Sequence, residues 1–195
     1  DLMVDELYAD APDEGATLLA SHVSRYVVDL NRAETDIDGE TVEGYSSAIK
    51  SIRGVVWRIS SEGTPALTRK LSRREFETRI RLYYRDYHET LSRLLLEKRD
   101  RFGYAILLCG HSMPSVGRAG HNDPNTTRAD VVPGTRGRTS AAEEWIDRVD
   151  QLARDAGYSV LHDTPYRGGF STVHYGRPAV NVHAIQIELA RRLYM

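Results

Sequence analysis

"YAILLCGHSMPS" spans residues 104–115, and its reading decides the fold. The first six residues form an uncharged apolar run, short and tightly bounded, as a buried strand requires. It follows at once on residues 73–99, where Phe76, Ile80, Tyr83, Tyr87, Leu91 and Leu94 recur at steps of three and four. That spacing predicts an amphipathic helix of about seven turns. A long helix feeding a buried strand points to an α/β domain. Beyond the strand, His111 and Ser112 stand side by side. Either Ser112 is a nucleophile on a G-x-S-x-G-like turn, or His111 is a metal ligand at a strand end and Ser112 its neighbour.

Working outward, "TLLAS" (17–21) and "YVVDL" (26–30) are short apolar runs. "GVVWRI" (54–59), "YSVL" (158–161), "FSTVH" (170–174) and "AVNVHAIQI" (179–187) read as strands, and "ELARRLYM" as helix. Ser140-x-x-Glu143 predicts a capping box opening a helix that closes at Gly157. Residues 114–139 carry Gly117, Gly120, Pro124, Pro133, Gly134 and Gly137 without periodicity, which predicts one long loop. Strands interleaved with two long helices predict a three-layer α/β/α domain with a mixed central sheet over residues 1–195, with no internal repeat or linker. In such sheets ligands gather beyond the carboxyl ends of parallel strands. Asn31-Arg32, His111-Ser112 and Glu188 fall there in sequence.

Composition narrows the function. The 195 residues suffice for one full core, and 41% apolar with 28% charged residues is ordinary for a globular chain. A net charge of −2 gives no reason to expect nucleic acid or an anionic membrane as partner. No apolar run approaches the ~18 residues of a membrane span, and a cytoplasmic setting is expected. Cys109, the single cysteine, excludes an internal disulfide and a cysteine-based structural zinc site. Lys50, Lys70 and Lys98 are the only lysines, so candidate anion contacts are arginines with their planar forks.

The serine reading is weak on its own terms. A nucleophile turn needs a small residue two places on, where Pro114 stands, and no helix pattern follows. A Ser-Asp-His order through Asp163 and His174 or His183 can be assembled, as chance allows in a chain of this length.

"SRYVVDLNR" (24–32), "HSMPS" (111–115), "PYRGG" (165–169), "HYGRP" (174–178) and "AIQIELARRLYM" (184–195) together resemble the N-formylglutamate amidohydrolase family, in order and over nearly the whole chain. The resemblance implies a hydrolase-like fold related to zinc carboxypeptidases and aspartoacylases. It implies hydrolysis of N-formyl-L-glutamate, or a related N-acyl amino acid, to formate and glutamate, in histidine catabolism. The partner would be that small molecule alone, and the cofactor Zn2+ or another divalent metal. By the same resemblance His111 is a metal ligand and Glu188, in "QIEL", the general base and acid. Asn31 and Arg32 would hold a substrate carboxylate, with Arg167, where the family usually has lysine, and Arg79 as further cations. Arg79 could instead pair with Glu75 at i−4, and Tyr87 belongs to the apolar stripe.

Two departures from the family pattern bear on activity. The family's N-terminal P-H-S-G histidine has no counterpart here, so either further ligands lie upstream of residue 1 or the protein lacks that ligand; Asp1 and Asp5 could approach the metal, although acidic residues there are usually solvated. Cys109 stands where the family usually has aspartate, two residues before His111, so an acidic partner for that histidine is missing. A catalytically inactive dicarboxylate-binding homologue is the alternative these departures support.

Overall fold

The computed structural model describes residues 3–46, 48 and 50–195. Asp1 lies outside them. Among the described residues the sheet is mixed and has three strands: β1 (Ala105–Met113), β2 (Val131–Gly134) and β3 (Val182–Ala190), in the order β1-β3-β2. β3 runs parallel to β1 and antiparallel to β2. The described residues also form helices α1 (Val4–Leu7), α2 (Arg73–Arg79), α3 (Asp86–Phe102), α4 (Glu143–Asp155) and α5 (Phe170–Tyr175), a π-helical segment at Ile80–Arg85 and 3-10 turns at Pro178–Val180 and Arg191–Leu193. The chain is of α/β class, as its alternating pattern predicts. By its contacts it divides into two compact units, Asp1–Ala20 with Leu94–Met195, and Ser21–Arg93.

In the first unit β3 is the centre. Eight of its nine residues are buried, although His183, Gln186 and Glu188 lie among them. The side-chain alternation of a strand assigns its two faces. Ile185 and Ile187 pack with Val131, Ala141 and Ile146 of α4, where each fully buried aliphatic side chain contributes about 1.5–3 kcal/mol. Ala190 packs with Met113, Val132 and Tyr166 on the opposite face, which also carries Gln186 and Glu188. β1 continues four residues past the expected end at Cys109, so Gly110, His111 and Ser112 are strand, not turn.

Several sequence expectations are corrected. Residues 114–139 are not one loop, because 131–134 form β2. Pro133 hid that strand, and an edge strand tolerates a residue without an N–H. Ser140 does not cap α4: its hydroxyl donates to the Thr135 and Ala184 carbonyls, and the cap residue is Ala142. Gly157 does follow the helix in left-handed conformation. "FSTVH" is α5, with Ser171, Thr172 and Tyr175 buried at helical rather than alternate spacing. "YSVL" makes one bridge, Val131 to Val160. β3 starts at Val182 and runs on to Ala190, so "ELA" is strand and only Arg191–Leu193 turns helically.

His183 does for α4 what Ser140 does not, since its Nδ1 accepts the Ala142 N–H at 3.2 Å. Burial holds this imidazole below its ordinary value, against a weaker upward pull from Glu144. Folding therefore favours the neutral ring. That stability is full above the unfolded pKa of about 6.5 and is lost as pH falls through the lowered folded value. His174, lowered by burial and by Arg177, adds in the same direction. Melting followed from about pH 7.5 down to 5 is expected to fall more steeply in the wild type than in His183→Gln. Equal slopes would remove His183 from the acid response.

In the second unit, α2 and the π segment run without interruption into the first half of α3. A capping box opens this helix, with Ser72 and Glu75 satisfying each other's backbone N–H groups. The buried positions here are Phe76, Ile80, Tyr84 and Leu91, with Tyr84 in place of the predicted Tyr83, and in the first unit's part of α3 Leu95 is buried in place of Leu94. A π turn inserts one extra residue, which moves the stripe by one. Neither "YVVDL" nor "GVVWRI" is a strand. The buried Asp29 carboxylate accepts from Asn31 N–H at 2.9 Å and Trp57 Nε1–H at 2.8 Å, which turns the first run back on itself. The second run folds through an Arg53–Trp57 bridge, burying Val55 and Val56 without a partner strand. "TLLAS" is largely exposed and belongs to no regular element.

Candidate active site

His111 and Glu188 are register partners on adjacent parallel strands, and Cys109 is the partner of Gln186 one step earlier. Partners in register share a face, so Cys109, His111, Gln186 and Glu188 lie on the same side of the sheet. Spacing of two along a strand already puts Cys109 with His111 on one face, and Gln186 with Glu188. Pairing β1 with β3 sets these two pairs side by side.

Glu188 is 6% exposed, a carboxylate that burial alone would disfavour. Gln186 supports it: its Nε2 donates to Glu188 Oε1 at 2.9 Å. Gln186 Oε1 in turn accepts the N–H of Gly169 at 2.9 Å, so the amide is oriented from both ends. The remaining carboxylate oxygen accepts no hydrogen bond from the described residues. A buried acid with one oxygen fixed and the other uncommitted has the form of a proton-transfer group.

The segment that orients Gln186 approaches the sheet closely. A Cβ on Gly134, opposite Gln186 in β2, would lie 2.5 Å from Gly168 N. Glycine at 134 is therefore a packing requirement. Gly168 has φ +91°, a conformation L side chains rarely adopt. The "RGG" of 167–169 thus gives Gln186 its hydrogen-bond donor and places Arg167 beside this contact.

Sequence reasoning missed Tyr8. Its ring packs against Gly110, where a Cβ would lie 2.6 Å from Cε2. Burial first, then the charges of Cys109 and Glu188, push its phenol up to about 12. Tyr8 thus stands as a neutral O–H near Glu188, and nothing in the local motif "DELYAD" signals it. Asp5 is exposed on α1.

The serine reading fails on geometry. Ser112 is buried within β1, its hydroxyl accepts from Arg191 Nε at 3.3 Å, and its register partner is Leu189, on the face opposite His111. Asp163 is occupied too, its carboxylate accepting from the backbone of Thr135, Arg136 and Gly137. His121 belongs to a buried cluster: its Nδ1 lies 2.7 Å from Arg128 Nη2, and Asp123 takes Arg128 in a two-pronged ion pair. His162 bonds to Asp150 at 2.9 Å.

Asn31, Arg32 and Arg79 lie in the second unit. Arg32 donates to the Arg53 and Asn31 carbonyls at 2.7 and 2.9 Å, and Arg79 donates to Val27 O at 3.0 Å. Glu75 pairs with Arg69 at 2.6 Å rather than with Arg79, which removes the i−4 pairing expected from spacing. Tyr87 is half-buried.

Among the described residues no three His, Cys, Asp or Glu side chains converge as a metal-holding group. His111 is a donor of zinc-ligand type at the strand pair, one of the three or four that a zinc site takes.

A partly buried histidine and a buried carboxylate thus stand in register on a mixed sheet, with an oriented amide behind the acid, the kind of polar cluster that hydrolases use. The pattern of the family described as N-formylglutamate amidohydrolase matches residues 1–195, and the chain belongs to that family. N-formylglutamate deformylase of Pseudomonas putida is 33% identical over 204 residues, covering 100% of this chain and 70% of that protein. The Pseudomonas aeruginosa deformylase is 34% identical over 202 residues with the same coverage. The crystal structure of N-formylglutamate amidohydrolase from Ralstonia eutropha JMP134 superposes with TM-score 0.87 at 35% identity, over 98% of this chain and 70% of that one. A 17%-identical protein from Agrobacterium tumefaciens shares the fold, with TM-score 0.60 over 87% of this chain and 59% of that one. No helix among the described residues is long and apolar enough to cross a membrane.

Proposed function

We propose that the protein hydrolyses the amide of N-formyl-L-glutamate, or of a closely related N-acyl amino acid, releasing formate and the free amino acid. The observation that carries this is the buried Glu188 carboxylate, in register with His111 and held through one oxygen by Gln186. Glu188 takes a proton from the attacking water as its oxygen bonds to the formyl carbon. It then returns that proton to the amine nitrogen as the C–N bond breaks. The names of the 33–34% identical relatives supply the substrate.

The finer parts belong to the same proposal. His111 is a ligand of a divalent metal, zinc first, with other ligands supplied from outside the described donors. Asn31, Arg32, Arg79 and Arg167 are substrate contacts, and histidine breakdown is the setting. The sheet is the middle of a three-layer α/β/α fold of zinc carboxypeptidase type, supported by α4 on the Ile185 face and the 167–169 segment on the Gln186 face.

The test is formate and glutamate release from N-formyl-L-glutamate, run beside bound-metal analysis of the wild type and His111→Ala. One formate per glutamate, with metal lost in the variant, is the expected result. Tight dicarboxylate binding without formate would establish the inactive-homologue alternative instead.

A further inference from the structure

The substrate class proposed above carries two carboxylates, and the structure presents a cation that no motif marked. Arg136 follows β2 by two residues and is exposed. Its backbone is left-handed, φ +57°, and Arg138 shares that conformation at +64°. Non-glycine residues rarely adopt it, and such strain concentrates at ligand-holding segments. The Asp163 carboxylate keeps it in place by accepting the Thr135, Arg136 and Gly137 N–H groups at 2.7, 3.1 and 2.6 Å.

Arg136 is also locked to the "RGG" segment. Its N–H donates to Arg167 O at 3.0 Å, and its Nη1 reaches Gly168 O at 3.3 Å. The Arg167 guanidinium turns toward the same loop, since a Cβ on Gly137 would lie 3.7 Å from its Nη2. Neither guanidinium has a carboxylate partner among the described residues, whereas Arg138 is neutralised by Asp147 at 2.5 Å. Gly168, which Arg136 holds, packs on Thr172, whose buried hydroxyl has no hydrogen-bond partner among the described residues. One residue on, the Gly169 N–H orients Gln186 and through it Glu188. Two uncompensated guanidiniums are thus fixed by backbone to the segment that supports the proton-transfer acid.

We propose that Arg136 and Arg167 form a two-arginine clamp for one carboxylate of a dicarboxylate ligand, with Arg136 as a specificity-determining residue. This rests on the N-acyl amino acid reading for its substrate, and the guanidinium fork suits a carboxylate. The variant to make is Arg136→Gly, because glycine takes the left-handed backbone without penalty and the loop keeps its shape. KM for N-formyl-L-glutamate is expected to rise about 10- to 100-fold with kcat little changed, the range a lost charged hydrogen bond implies. Arg136→Lys is expected to recover part of it. Glutarate titrated by calorimetry supplies a readout independent of turnover, with binding to wild type and the same weakening in Arg136→Gly. If the wild type binds glutarate but releases no formate, the clamp stands and the hydrolase reading falls. Unchanged KM and unchanged glutarate affinity in a normally melting Arg136→Gly, or no glutarate binding by the wild type, overturns the clamp.

Discussion

Glu188→Gln is expected to lower formate release from N-formyl-L-glutamate by roughly 100- to 10,000-fold, the range of a lost general base. Melting temperature is expected to hold. The glutamine is isosteric, its carbonyl oxygen can still accept from Gln186 Nε2, and a buried charge is removed rather than added. Loss of rate with retained stability separates proton transfer from packing. Steady-state kinetics and thermal unfolding on the same preparation measure both. A variant with wild-type turnover would take Glu188 out of the chemistry.

Arg128→Met carries the largest expected effect on stability. Arg128 is 4% exposed and binds Asp123 through two nitrogens, at 2.8 and 2.7 Å. It also donates to Pro114 O and to the Tyr166 hydroxyl, each at 3.2 Å, and contacts His121 Nδ1. Arg128 holds the Asp123 carboxyl below its usual value, which shows how far the acid relies on it. Removing one member of a buried pair costs about 3–5 kcal/mol, and residual exposure of Asp123 places this pair toward the lower end. Urea unfolding is expected to show that loss, and Asp123→Asn added to Arg128→Met to recover part of it. A cost below about 1 kcal/mol would mean that the pair behaves as an exposed one.

The sequence makes both strands of the parallel pair legible because each is a dense apolar run, "YAILLC" and "HAIQI". It does not reveal β2, since Pro133 and Gly134 look like loop until they are seen on a sheet edge, with Gly134 admitting the 168 backbone. The long helix is legible, but its buried stripe moves from Tyr83 to Tyr84 because a π turn leaves no local composition signal. "YVVDL" shows the converse failure: β-branched residues suggest a strand, yet the buried Asp29 turns the chain.

The site divides in the same way. His111 and Glu188 are identifiable from motifs, and their spacing on single strands gives the face each occupies. Their register with each other depends on β1–β3 pairing across more than seventy residues of sequence, which no local pattern carries. Tyr8 and Arg136 escape for that reason too. Tyr8 matters because Gly110 leaves room for its ring, and Arg136 because Asp163 holds its backbone.

A double-mutant cycle on His111→Ala and Glu188→Gln tests whether the register pair acts as one reaction centre. Groups that act as one unit lose function non-additively. The double variant is expected to release formate at a rate within about threefold of the more damaged single variant. Losses that multiply, each mutation exacting its full effect in the presence of the other, would contradict a shared reaction centre at the β1–β3 pair.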